Sequence, residues 1–129
     1  AADACTVVAG GFVATGPDAP AVQAERARIR EYLGFLYATP QYAGALDVLG
    51  RPALGPALHA LARAGRWAEL TGLVDDGLLD ALAPAAPYAE VVALLHERLA
   101  GLCTALTFPV AVDPAHDAAA RTAIEALRG

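Results

Sequence analysis

The sequence predicts an α/β chain in which two parallel strands are set into a mostly helical polypeptide. Three observations predict it. Two β-branched, nearly continuous apolar runs, Thr6–Thr15 and Leu102–Val110, have the composition of strands buried on both faces of a parallel sheet. The segments between and after them carry apolar stripes at helical spacing, bounded by capping residues, prolines and glycines. The resulting order is strand, helix, several inserted helices, helix, strand, helix: a βαβα pattern with an insertion, whose long crossover makes the two strands parallel.

The first run ends at Gly16-Pro17, and its Gly10-Gly11 doublet weakens it or marks a bend. Asp18 starts a helix to about Ala38, with Val22, Ile29, Leu33 and Leu36 on one stripe and Glu25, Arg26, Arg28 and Arg30 toward solvent. Thr39 then stands at a helix N-cap with Pro40 in the first position, and Gly50 closes that helix; Tyr37 and Tyr42 read as residues buried in the corner. Pro56 begins the next helix, which Gly65 ends in the left-handed conformation. Trp67, with Leu70, Leu73 and Val74, reads as an apolar anchor. Asp75 caps a helix carrying Leu78, Leu79 and Leu82; Asp75 and Asp76 are adjacent, so they diverge rather than share a metal. Pro84-Ala85-Ala86-Pro87 is a linker, Pro87 starts a helix through Val91, Val92, Leu95 and Leu99 to Gly101, and Asp113-Pro114 caps a last helix to about Arg128. With no repeat or low-complexity break, residues 1–129 are read as one structural unit.

At 57% hydrophobic residues the chain is too apolar to be disordered. Its net charge of −5 and nine scattered basic residues, all Arg, exclude nucleic acid as a partner. No apolar run approaches the ~20 residues of a membrane span and no signal peptide is visible, so no membrane association and a cytoplasmic location are expected. Cys5 and Cys103 lack metal or redox spacing and read as buried, reduced thiols near the starts of neighbouring strands. His59, His96 and His116 form no metal pair, and no phosphate loop, nucleophile elbow or zinc motif is present. The chain has no Met and begins at Ala1, which suggests missing upstream sequence.

Taken in order, Tyr37-Ala38-Thr39-Pro40-Gln41-Tyr42, then Gly65-Arg66-Trp67, then Leu73-Val74-Asp75-Asp76, and then the helix with Glu90-Val91 that feeds the second run form a set. From about Phe12 onward this set resembles the C-terminal part of luciferase-like flavin or deazaflavin monooxygenases, in their coenzyme F420-dependent branch. Ala86 departs from the family, which places Gly, Thr or Ser before that proline. The resemblance implies a (β/α)8 TIM barrel, which takes about 250 residues. This chain would supply its closing segment, the two runs being the seventh and eighth strands. It also implies an oxidoreductase that transfers hydride between coenzyme F420, or alternatively FMN, and a small organic substrate, with the cofactor carrying the reaction.

Barrel sites form at the C-terminal ends of strands, which selects Thr15, Gly16 and Pro109; the inserted corner adds Tyr37, Thr39 and Tyr42 as residues able to hydrogen-bond or stack on a planar ring. Much of the family's cofactor pocket would lie upstream, so the catalytic residues are unknown and the implied partners are a missing N-terminal barrel segment or a second copy. Two other readings stand beside this one: a helical interaction or dimerisation module without catalysis, and an inactive remnant. A continuous upstream reading frame would select the first.

Overall fold

The computed structural model describes residues 5–129. Its elements are strand β1 (Val8–Ala9), helices α1 (Ala19–Tyr37), α2 (Gly44–Val48), α3 (Leu54–Arg63), α4 (Asp76–Leu82) and α5 (Tyr88–Leu99), strand β2 (Ala105–Leu106) and helix α6 (Asp117–Arg128), with single 3-10 turns at Pro40–Tyr42, Trp67–Glu69, Thr71–Leu73 and Pro114–His116. The chain divides into two compact units, residues 1–26 with 82–129 and residues 27–81.

In the first unit β1 and β2 pair in parallel, Val8 opposite Ala105 and Ala9 opposite Leu106, as their order predicts. Thr104 locks the entry to the pair, its Oγ1 accepting from the Val7 N–H at 3.0 Å and donating to the Val7 carbonyl at 3.2 Å. The core of this unit is Val13, Ala86, Val91 and Leu95, with Leu99, Leu106, Phe108 and Leu127 packed around it. The second unit buries Ile29, Leu33, Leu46, Leu58, Val74, Leu78 and Leu79 almost completely. Gly65 at φ +72° and Gly50 at φ +73° end their helices in the left-handed region, and Asp75 caps α4 by accepting from the Leu78 N–H at 2.8 Å.

The expected portion of a TIM barrel is not the fold. Among the described residues the sheet has two strands of two residues each, and the remainder is mostly helical: the class is α-rich. The cause is local. The first run bends at Gly10-Gly11 and divides its pairing, Val8–Ala9 going to β2 and Ala14 bridging Ala85. Pro109, without an N–H, closes the second run. Val7 and Val8, expected to be doubly buried, are 48% and 58% exposed; consecutive residues point to opposite faces, so the start of this run is covered on neither face.

Four smaller readings also change. The Pro84–Pro87 linker is an extended, paired segment: the Ala14 N–H donates to the Pro84 carbonyl at 2.9 Å, Ala86 to Ala14 at 3.1 Å and Tyr88 to Gly16 at 2.8 Å. Trp67 is not a buried anchor but half exposed, its ring 5.9 Å from that of Phe35. Tyr42 is likewise exposed while Tyr37 is buried. Cys5 and Cys103 are both free thiols, but Cys5 is exposed and Cys103 only half-buried.

Candidate functional site

Within the first unit, the pairing that replaces the linker places Thr15 and Gly16. Ala14 and Gly16 spend their backbone groups on the 84–88 segment, and Thr15 between them is 7% exposed. Its Oγ1 has no hydrogen-bond partner, so a polar atom has been withdrawn from water without replacement. Gly16 is required by packing: a Cβ there would lie 2.7 Å from the Cβ of Ala21 at the start of α1, whose own N–H donates to Asp18 Oδ1 at 2.9 Å.

Tyr88 joins the two segments that follow the apolar runs. Its N–H donates to the Gly16 carbonyl and its ring lies 6.5 Å from that of Phe108, the neighbour of half-buried Pro109. Burial pushes its phenol up, and the carboxylates of Asp117 and Glu25 push it further, so Tyr88 is a neutral hydrogen-bond donor at physiological pH. Sequence reasoning misses Tyr88 because both of its neighbours are distant in the chain; the only local signal is its place directly after Pro87, on the first turn of a helix.

The other three expected residues belong to the second unit. Tyr37 is buried, which pushes its phenol up. Thr39 takes the extended conformation of an N-cap, φ −87° and ψ 118°, yet its side chain makes no capping bond. Tyr42 presents its ring to solvent. His59 ties this corner to α3, Nδ1 lying 3.0 Å from the Ala38 carbonyl oxygen. Further along, Arg30 of α1 donates to the Val74 carbonyl and to Asp76, while Arg51 pairs with Asp75. Asp75 and Asp76 therefore serve separate arginines, as their divergence predicts. The Arg51 hydrogen bond, with the Leu78 N–H, holds the Asp75 carboxyl below the usual range.

A groove of about 780 Å³ lies in the first unit, between α5, β2 and α6. Leu99, Leu106, Phe108, Ile124 and Leu127 supply its apolar lining, and His96, Cys103, Thr104 and Arg128 its polar lining. None of Thr15, Gly16, Tyr37, Thr39, Tyr42 or Pro109 lines it. Among the described residues no group of three or more His, Cys, Asp or Glu side chains is placed to hold a metal ion, and no helix is long and apolar enough to cross a membrane.

No family model and no solved structure matches the chain. It is similar to three mycobacterial proteins: uncharacterized protein Rv1360 and uncharacterized protein MT1405 of Mycobacterium tuberculosis, and uncharacterized protein Mb1395 of Mycobacterium bovis. Each is 34% identical over 91 residues, which is 70% of this chain and 27% of the relative, so the chain spans about a quarter of the length of the curated relatives it matches.

Proposed function

We propose that this chain is the C-terminal portion of a longer luciferase-like oxidoreductase that uses coenzyme F420, or FMN, to exchange hydride with a small organic substrate. The observation that carries this reading is the ordered set of segments: the Tyr37–Tyr42 corner, Gly65-Arg66-Trp67, Leu73–Asp76 and the α5 helix. The first three all lie in one helical unit, residues 27–81. Leu70 packs against the backbone of Gly34, His59 reaches the Ala38 carbonyl, and Arg30 holds both Val74 and Asp76. The length of the mycobacterial relatives agrees with a chain that is one part of a larger protein.

When bound, the ring cofactor supplies the hydride chemistry; the protein positions it. Each unit holds residues that suit the polar edge or the face of such a ring. In the first, Thr15 offers a buried hydroxyl lacking a partner; in the second, Thr39 offers a hydroxyl not engaged in capping and Tyr42 an exposed aromatic face. The test uses the longer polypeptide, titrated separately with coenzyme F420 and FMN. Tyr42→Ala is expected to weaken binding by about three- to ten-fold, the worth of one aromatic contact, while Tyr42→Phe retains affinity. Tyr37→Phe separates the phenol from the ring at the buried position. Unchanged affinity and turnover in all three variants removes these tyrosines from the site, and failure to bind either cofactor overturns the oxidoreductase reading.

A second reading, a helical module that associates without catalysis, is favoured by one observation. The groove beside β2 is open and sets Leu99, Leu106, Phe108, Ile124 and Leu127 along its wall, side chains a docking partner could cover.

A further inference from the structure

We propose that the groove between β2 and α6 is one half of a two-fold interface, and that its occupant is a second copy of this chain. The proposal does not depend on the oxidoreductase reading. It rests on the backbone of β2, on the apolar side chains Leu106, Ile124 and Leu127 along the groove and on the charge order of α6.

The N–H groups of Ala105 and Thr107 turn toward β1, donating to Val7 at 3.2 Å and to Ala9 at 2.9 Å. Strand alternation then turns the N–H and C=O of Leu106 to the opposite edge of β2, where the sheet has no third strand among the described residues. An open edge is a template for another chain. If β2 pairs antiparallel with β2 of a second copy about an axis at Leu106, the two Leu106 residues exchange both of their backbone hydrogen bonds. That is the arrangement a hydrogen-bonded antiparallel pair requires. The same axis sets Ala105 opposite Thr107 of the second copy, twice.

Helix α6 forms one wall of the groove through Ile124, Leu127 and Arg128. Beside Ile124 its exposed face reads Asp117, Arg121, Glu125, Arg128, four charges of alternating sign in one stripe at helical spacing, closing on a second cation. If the same axis passes α6 at the level of Ala123, this stripe lies antiparallel on its own copy and sets Asp117 against Arg128 and Arg121 against Glu125, each pair occurring twice. The surface is therefore complementary to itself in charge, as a two-fold interface must be.

The test is sedimentation equilibrium of the 129-residue chain over a wide concentration range at low salt, for the parent, R121E and E125R. Both substitutions lie on the exposed face of α6. The parent is expected to dimerise reversibly, and each variant to weaken dimerisation by about ten-fold, because each sets like charges opposite one another twice. An equimolar mixture of the two variants is expected to restore the parent affinity. In the mixed pair the carboxylate introduced by R121E faces the guanidinium introduced by E125R, and the unaltered Glu125 of the first copy faces the unaltered Arg121 of the other. Hydrogen exchange reads the strand: the Leu106 amide slows as concentration rises. A chain that stays monomeric, a dimer indifferent to both substitutions, a mixture no tighter than either variant alone, or a Leu106 amide that exchanges at the same rate at every concentration overturns the proposal.

Discussion

A hydroxyl buried between two backbone hydrogen bonds has lost its water and gained no partner, and that is the position of Thr15. Thr15→Val keeps the shape of the side chain and removes the stranded oxygen, so it is expected to stabilise the fold by about 1 kcal/mol in urea denaturation. On the oxidoreductase reading the same variant binds cofactor less well, and a gain in stability with a loss of binding would mark a polar atom kept for a ligand. A destabilised variant would show that the hydroxyl is satisfied. Asp75 behaves in the opposite sense. Its pKa is lowered by Arg51 and by the Leu78 N–H, so its contribution to stability is complete above the ordinary carboxylate pKa of about 4 and is lost as pH falls through the lower, folded-state value. Melting temperature measured against pH should fall in that acid window for the parent and fall less for Asp75→Asn. Asp75 is legible in the sequence because its cap partner is three residues away. Tyr88 is not, since Gly16 and Phe108 come to it only through the fold. Trp67 misleads because helical spacing gives a side chain's direction but not whether anything covers it.

Two glycines separate local from tertiary demands on the helices. Gly65 ends α3 at φ +72°, and a Cβ there would meet nothing within 4 Å, so Gly65→Ala carries a conformational cost alone, about 1 kcal/mol. Gly34 lies inside α1 with ordinary helical backbone, and a Cβ there would lie 3.1 Å from the carbonyl carbon of Leu70 and 3.2 Å from its oxygen. Backbone yields less readily than a side-chain tip, so Gly34→Ala is expected to cost about 1–3 kcal/mol although Ala is the better helix former. Equal losses in urea denaturation would contradict this ordering. Gly65 is visible in the sequence as a helix stop, whereas Gly34 reads as a flaw in a helix until Leu70 is placed against it. The helices as a whole are legible for the same reason as Gly65: stripes, caps and stops are written within a few turns. Thr39 is the exception, having the position and backbone of a cap without its hydrogen bond.

At the scale of the molecule, an apolar run states that a segment favours a strand and is silent on how many strands lie beside it. Thr6–Thr15 and Leu102–Val110 have the composition of members of a closed sheet, yet with each other they pair only at Val8–Ala9 and Ala105–Leu106, with Gly10-Gly11 and Pro109 marking where that pairing stops. Parallel order survives because it depends on connection length; barrel closure does not, because it depends on neighbouring strands that these two runs lack. Helical packing therefore carries the stability of this fold, with eight large side chains, among them Ile29, Leu33, Leu58, Leu79 and Val91, buried to within 2% exposure. Hydrogen exchange in dilute solution should divide accordingly. The amides of Ile29, Leu33, Leu58, Leu79 and Val91 are expected to exchange about a hundred-fold or more slowly than those of Val8 and Leu106, which sit in a two-residue ladder with open edges. Uniform strong protection across both apolar runs, at concentrations where the chain is monomeric, would mean that the strands are longer and better covered than the structure shows. Protection that appears at the Leu106 amide only as concentration rises, with the helices unchanged, is the outcome expected of an edge waiting for a second chain.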